Sequence, residues 1–402
     1  MTTPPDTPII DTCVHHAWRS ATESEISGYM PEGWKEYVTR PSAAQQHAAS
    51  AERELAAFEV WHTKRTLPDL IWTNPQGDHR ADLRRADGAH PASGPDALQD
   101  ALLRPHGIAR ALLVHDRAMF IPAGTNPFLV DAFCTALNDW TVDRFLAPDD
   151  RLHGAIVANT QTPERGADEI RRVGAHPKMA AVLLAVSPSG KFFGHPMYWP
   201  IIEAAVEMGL PLMIHKGGDG VHGMPTAPAG GPPFTFAEYV ALAPGNVANH
   251  MLSFMTNGVF ERFPSLKICL AGPGLTWVPG FLRRADAGWR AQRVEVPWMV
   301  RSPREYFKDH VSVTTYGLEN GSQGGALVRR FLDAHPELRQ SIVFGSGFPS
   351  WDASLPAELE EVLPPDWRQA VLHDNADRLF RWDGGPPVAA VAGAGAAAAQ
   401  GA

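Results

Sequence analysis

The residues that can do chemistry gather first near the N-terminus, in Asp11-Thr12-Cys13-Val14-His15-His16 after Ile9-Ile10. A thiolate and an imidazole two residues apart suit a soft or borderline metal such as zinc. An apolar run that ends in polar side chains reads as a buried strand delivering them from its carboxyl end. Alternate residues of a strand point the same way, so Cys13 and His15 share one face. Read without a metal, they are a buried thiol beside a core histidine. A second polar end follows Pro211-Leu212-Met213-Ile214, in His215-Lys216-Gly217-Gly218. Tyr316, Ser346 and Asp352 follow later apolar runs, and His222 falls on the loop after Gly218. For His222 and Asp352 the alternative is a solvated loop residue, and for His16 a structural role beside the site.

These groups must be positioned by the elements around them. After the first run, short apolar segments recur at 109–114, 152–157, 179–185, 211–215, 266–270, 311–315 and 341–344. Helical patterns lie between them, at 127–145, 163–173, 199–208, 234–259, 277–291 and 326–334, and two more close the chain. Within 127–145, Phe128, Ala132, Leu137 and Trp140 recur at helical spacing. Repeated strand–helix units with buried strands imply a parallel sheet, and eight units favour a TIM barrel, (β/α)8. No Gly-rich dinucleotide fingerprint follows the first strand. In a barrel the strands' carboxyl ends meet at the site, so Cys13, His15, His215, Lys216, Gly272, Tyr316 and Ser346 are expected together.

Residues 17–105 form a long insert after the first strand, aromatic through Trp18, Tyr29, Trp34, Tyr37, Trp61 and Trp72. It contains a helical patch at 43–64 and reads as a satellite core or as a lid over a flat substrate, with Trp18 and Trp34 as substrate contacts. The tail 388–402 is nearly all Ala, Gly and Val, too poor in side chains to pack, and is expected to be disordered. Residues 1–387 then make a single domain.

The totals exclude other classes. A formal net charge of -9 with no basic stripe argues against nucleic acid. Three scattered cysteines fit a reducing cytoplasm rather than a disulfide framework. No signal peptide or membrane-spanning run stands out, so no membrane partner is expected.

Several stretches together resemble the amidohydrolase-related family, in its aminocarboxymuconate-semialdehyde decarboxylase-like branch. They include Ile10 through His16, Asn138-Asp139-Trp140, Arg151-Leu152-His153-Gly154, Tyr198-Trp199-Pro200-Ile201 and Asn257-Gly258-Val259-Phe260-Glu261-Arg262-Phe263-Pro264. Phe344-Gly345-Ser346 through Trp351-Asp352 completes the set. The resemblance implies a metal-assisted TIM barrel and suggests a homodimer. Such proteins usually carry a His or carboxylate two residues before a His on the first strand; here the pair is Cys13 and His15. The His ending the fifth strand is His215. The sixth-strand ligand is missing from Ala271-Gly272-Pro273, the usual Asp after the eighth strand is Gly347, and a further His is Ser350.

Two sites fit what remains. One is a reduced zinc centre of Cys13, His15 and His215 with an open position. The other has no metal and works through His15, His16, His215, Lys216 and Asp352 as acids and bases. The two glycines are expected to open the barrel mouth to a flat aromatic molecule, with Tyr316 and Ser346 among its contacts. Zinc with a nearby imidazole is expected to promote attack at an acyl or imidate carbon, by hydrolysis or by cyclodehydration to a heterocycle. The missing Asp weakens hydrolysis and favours ring closure, whose nucleophile the substrate itself supplies, and it argues against decarboxylation. The Ala-, Arg- and Pro-rich composition associates this with bacterial secondary metabolism. The alternatives are non-oxidative decarboxylation of an aromatic acid and a catalytically inactive barrel that binds a ligand.

Overall fold

The computed structural model describes residues 8–18, 24–39, 79–124, 126–217, 235–319 and 324–383. Eight parallel strands follow one another in chain order around one sheet. They are β1 (Ile9–His16), β2 (Ile108–His115), β3 (Leu152–Val157), β4 (Met179–Leu184), β5 (Leu212–His215), β6 (Ile268–Ala271), β7 (Val311–Thr314) and β8 (Ile342–Val343). Nearly every strand residue is buried, because one face fills the barrel and the other meets helices. That double burial explains the continuous apolar runs.

The ring closes through the residues after β8. Val14 bridges Phe348 in parallel, and the backbone N–H groups of Thr12 and His15 donate to the Phe344 and Phe348 carbonyls at 2.9 and 2.7 Å. This is the TIM barrel expected from eight strand–helix units. The β1–β2 pairing shifts register between Asp11 and Val14, a local irregularity at Cys13.

Helices start where the sequence offers caps. Helix α1 (Pro127–Thr141) begins at Asn126, whose side chain accepts from Phe128 N and Leu129 N. Helix α2 (Pro163–Gly174) has Pro at its first position. Helix α3 (Phe236–Thr256) opens with a Thr235–Glu238 capping box, and α4 (Pro303–His310) with Ser302–Glu305. Asn138 locks α1 to β3: its amide donates to Val157 O at 2.9 Å and its carbonyl accepts from Val157 N at 2.9 Å.

One local expectation fails. The segment 127–145 is α-helical only to Thr141 and then widens into a π-helical turn, Val142–Leu146. Phe128 is 61% exposed, unlike Ala132, Leu137 and Trp140, because it lies in the first turn, where the Arg165 guanidinium covers its ring. The helical patch at 43–64 and the tail 388–402 lie outside the described residues. Among the described residues, no helix is long and apolar enough to cross a membrane.

Candidate metal centre and pocket

β1 and β5 bring three donors together at their carboxyl ends. Cys13 Sγ lies 3.7 Å from His15 Nε2 and 3.6 Å from His215 Nε2. All three residues are buried, and their ligand atoms lie within 4.8 Å of one another. The second ring nitrogens set the tautomers. His215 Nδ1 donates to the Lys216 carbonyl, which can only accept. His15 Nδ1 lies 3.4 Å from Asp116 Oδ1. Both Nε2 lone pairs therefore face the sulfur, with one thiol proton between them.

Such a set has the donor types a cation would need. Tetrahedral zinc with ordinary Zn–S and Zn–N lengths would hold S and N about 3.5 Å apart. The two sulfur–nitrogen separations fit that spacing. Burial and the Asp11 charge push the Cys13 thiol well up, and burial followed by His15 pushes His215 well down. A cation among them would oppose the first and suit the second, since it needs a thiolate and neutral imidazoles. Beneath the cluster, Asp11 Oδ1 accepts from Ser346 N at 2.9 Å and Cys13 N at 3.1 Å. Burial raises the Asp11 carboxyl to about 6.

Above the donors opens a cavity of roughly 370 Å³. Its walls include His15, His215, Met119, Phe120, Val240, Pro244, Tyr316, Trp351 and Asp352. Lys216 Nζ donates to Asp352 Oδ2 at 2.5 Å and sits 4.3 Å from the centre of the Tyr316 ring. The Tyr316 hydroxyl donates to Ser350 Oγ at 3.1 Å, which donates to Asp352 Oδ1 at 2.8 Å. Burial raises the Asp352 carboxyl, but the Lys216 ammonium outweighs it and holds Asp352 low.

The two glycines do not open the barrel mouth, contrary to expectation. A Cβ on Gly272 would stand 2.8 Å from Lys216 Cγ and Cδ. A Cβ on Gly347 would stand 2.1 Å from Tyr316 Cδ2. Both glycines have positive φ, +85° and +69°. The space their missing side chains leave is filled by a lysine stem and an aromatic ring.

The remaining expected residues separate. His15, His215, Lys216, Tyr316 and Asp352 line the cavity, and Cys13 lies beneath it. His16 does not join them. It is next in the strand and faces the other side, where its Nε2 meets Thr141 Oγ1 at 2.9 Å and its ring stacks on Trp140. Trp18 belongs to the same buried cluster, 5.1 Å from the His115 ring, and does not line the cavity. Trp34 is half-buried on helix Glu32–Thr39, against the hydrophobic core and away from the cavity lining. Ser346 is fully buried, and its Oγ accepts from Phe348 N at 3.0 Å instead of facing a ligand. His222 lies outside the described residues.

Sequence reasoning missed Asp116, His79 and His90. Asp116 directly follows β2, so the strand-end rule contained the signal. Burial would raise its carboxyl, but the hydrogen bond to His15 and the surrounding imidazoles lower it. His79 and His90 come from the insert and reach the cavity, their rings 4.6 Å apart. Burial lowers His90 to about 4. No periodicity or motif marked them.

A barrel with histidine donors at the ends of β1 and β5 defines a class, and comparison with known proteins gives it a family. Residues 24–382 match the amidohydrolase family model, and the chain belongs to that family. Over 261 residues it is 24% identical to gamma-resorcylate decarboxylase of Rhodococcus jostii (strain RHA1), covering 60% of this chain and 71% of that protein. The crystal structure of 5-carboxyvanillate decarboxylase from Sphingomonas paucimobilis superposes with a TM-score of 0.60 at 18% identity, covering 94% of this chain and all of that one. A dihydroxybenzoic acid decarboxylase from Polaromonas sp. JS666, with bound manganese and 2-nitroresorcinol, gives 0.60 at 17% identity over 93% of this chain and 96% of that one.

These relatives correct the expectation of hydrolysis or cyclodehydration at an acyl or imidate carbon. All three are decarboxylases of aromatic acids, which break a carbon–carbon bond. The expectation placed decarboxylation second because Gly347 stands where a metal-binding, base-supplying Asp is usual, and the relatives' named activities overturn that ranking.

Proposed function

We propose that this protein is a metal-dependent, non-oxidative decarboxylase of an aromatic carboxylic acid. The observation that carries the reading is the convergence of Cys13, His15 and His215 at the floor of a cavity walled by flat and apolar side chains. The named activities of the relatives support the same chemistry. The ring–carboxylate bond breaks, carbon dioxide leaves, and one proton takes its place on the ring carbon. No oxidant or reductant is needed.

Cys13, His15 and His215 are the residues that hold the cation. A thiolate with two imidazoles favours zinc over manganese, which prefers oxygen donors. Bound there, the cation supplies a Lewis-acid charge for substrate oxygens. The chain's own residues do the rest. Met119, Phe120, Tyr316 and Trp351 shape a slot for a flat ring and exclude water. His90 Nδ1 accepts from Ala92 N at 3.1 Å, so its proton sits on Nε2. A neutral imidazole at the mouth passes protons between solvent and pocket instead of storing charge. Cys134 and Cys269 are buried free thiols, which supports a reducing cytoplasm.

The test is release of carbon dioxide from a panel of hydroxylated benzoates, including 2,6-dihydroxybenzoate and 5-carboxyvanillate, alongside metal content. We expect roughly one zinc per chain. Cys13→Ala and His215→Ala should both lose the metal and the turnover. Full turnover after complete chelation would sink the metal mechanism. No carbon dioxide from any aromatic acid, with metal bound, would sink the decarboxylase.

A further inference from the structure

We infer that Lys216 is the anion anchor of the pocket, the group that receives the carboxylate or ring oxide of the substrate; this rests on the aromatic-acid reading above. Among the described residues lining the cavity, Lys216 is the one Lys or Arg. It is held there by three independent features. Asp352 accepts one N–H at 2.5 Å, the Tyr316 ring lies under the ammonium at 4.3 Å, and Gly272 leaves the volume its stem occupies. Tyr316 is in turn seated against Gly347, where any Cβ would collide with its ring. The two positions where the family usually carries metal-binding or acid–base side chains are thus given over to one cation and the ring that supports it.

An ammonium has three donors, and among the described residues its side chain has one hydrogen-bond acceptor, Asp352. The other carboxylates facing the cavity are engaged elsewhere. Asp116 is turned to His15, and Glu319 accepts from Leu275 N, Thr276 N and Thr276 Oγ1 at 3.1, 3.2 and 2.7 Å. Lys216 therefore keeps donor capacity for a ligand oxygen. At 15% side-chain exposure it is screened from bulk water, where a charge-assisted hydrogen bond is strongest.

The experiment is calorimetric binding to zinc-loaded protein of benzoate and salicylate against benzamide and salicylamide. Each acid and its amide share a ring and differ in charge. The unmodified protein should bind the acids more tightly by about tenfold or more, the scale of one charge-assisted hydrogen bond. Lys216→Met should cut that preference about tenfold while leaving metal content in place, and Lys216→Arg should keep part of it; the share that survives is the cation's. Gly272→Ala keeps the lysine but puts a Cβ against its stem, and should cut the preference likewise. That variant decides the matter if Lys216→Met loses metal. An undiminished preference in Lys216→Met with full metal, or in Gly272→Ala, would overturn the anchor. Acid preference without carbon dioxide release would leave the anchor standing and the decarboxylase fallen. Carbon dioxide release without acid preference would do the reverse.

Discussion

Asp116 and the Lys216 carbonyl decide which nitrogens of His15 and His215 are free for a metal. Each takes a ring's Nδ1 and leaves Nε2 toward Cys13. Partners of this kind, outside the ligand set, commonly govern metal affinity by 10–100-fold. Asp116→Asn should therefore weaken zinc binding by about that factor, read by competition with a chromogenic chelator, while the fold stays intact. Unchanged affinity would show that the 3.4 Å contact does not orient His15. Gly347 carries a different prediction. Gly347→Ala should destabilise the barrel by about 2–4 kcal/mol, combining a non-glycine residue at positive φ with overpacking against Tyr316. Tyr316→Ala in the same chain should recover the overpacking share, and urea titrations of the four proteins close the cycle. If both changes simply add, the glycine is not there for the ring.

The segment from His79 to Ser93, a strap beside the cavity, bridges Ser350 through His79 and contributes His79 and His90 to the cavity wall. Arg80, 3% exposed, fastens it. Its guanidinium donates to Asp82 Oδ2 at 2.7 Å, Glu358 Oε2 at 2.9 Å and Ala353 O at 2.8 Å, beside Asp352. Arg80→Met should cost about 1–3 kcal/mol, the worth of hydrogen bonds to charged groups, and should raise amide exchange in residues 79–93 before the rest of the barrel. Uniform exchange would mean the strap is held by other contacts. The strap was not legible in the sequence, because long-range ion pairs leave no periodic trace. The strands were, since double burial writes them as short apolar runs. Cys13, His15, His215 and Lys216 were legible as strand ends. His16 could have been set aside by strict alternation from Cys13 and His15. Nothing local predicted that Lys216 fills the space at Gly272, or Tyr316 that at Gly347, because each pairing joins different strands.

Across the whole molecule, burial keeps several imidazoles neutral, and this ties stability to pH. Burial lowers His90 to about 4 and pushes His115 well below its ordinary value, and His310 is lowered for the same reason. Below about pH 6.5 an unfolded chain protonates these rings while the folded barrel does not. Unfolding then takes up protons, so stability falls as pH drops through this window. For His90 the loss between pH 6.5 and 5 is about 2 kcal/mol and stops growing near its folded value. Asp11 acts in the opposite sense. Raised to about 6, its carboxyl is protonated earlier in the folded barrel, so it gains stability as pH falls from 6 toward the ordinary carboxylate range. Asp116 and Asp352, both lowered, titrate below the window. Among the described residues eight histidines are lowered by burial, these three with His16, His106, His153, His176 and His215, against one raised carboxylate, so the net expectation is a barrel less stable at pH 5 than at pH 7, measured by urea unfolding at each. His90 and His115 both accept the N–H two residues on, at 3.1 and 3.0 Å, which an Asn carbonyl can also do. His90→Asn and His115→Asn should therefore each keep the turn and flatten the pH slope by up to one proton. Slopes unchanged in both variants, or stability rising toward pH 5, would show that these imidazoles are not held neutral by the fold.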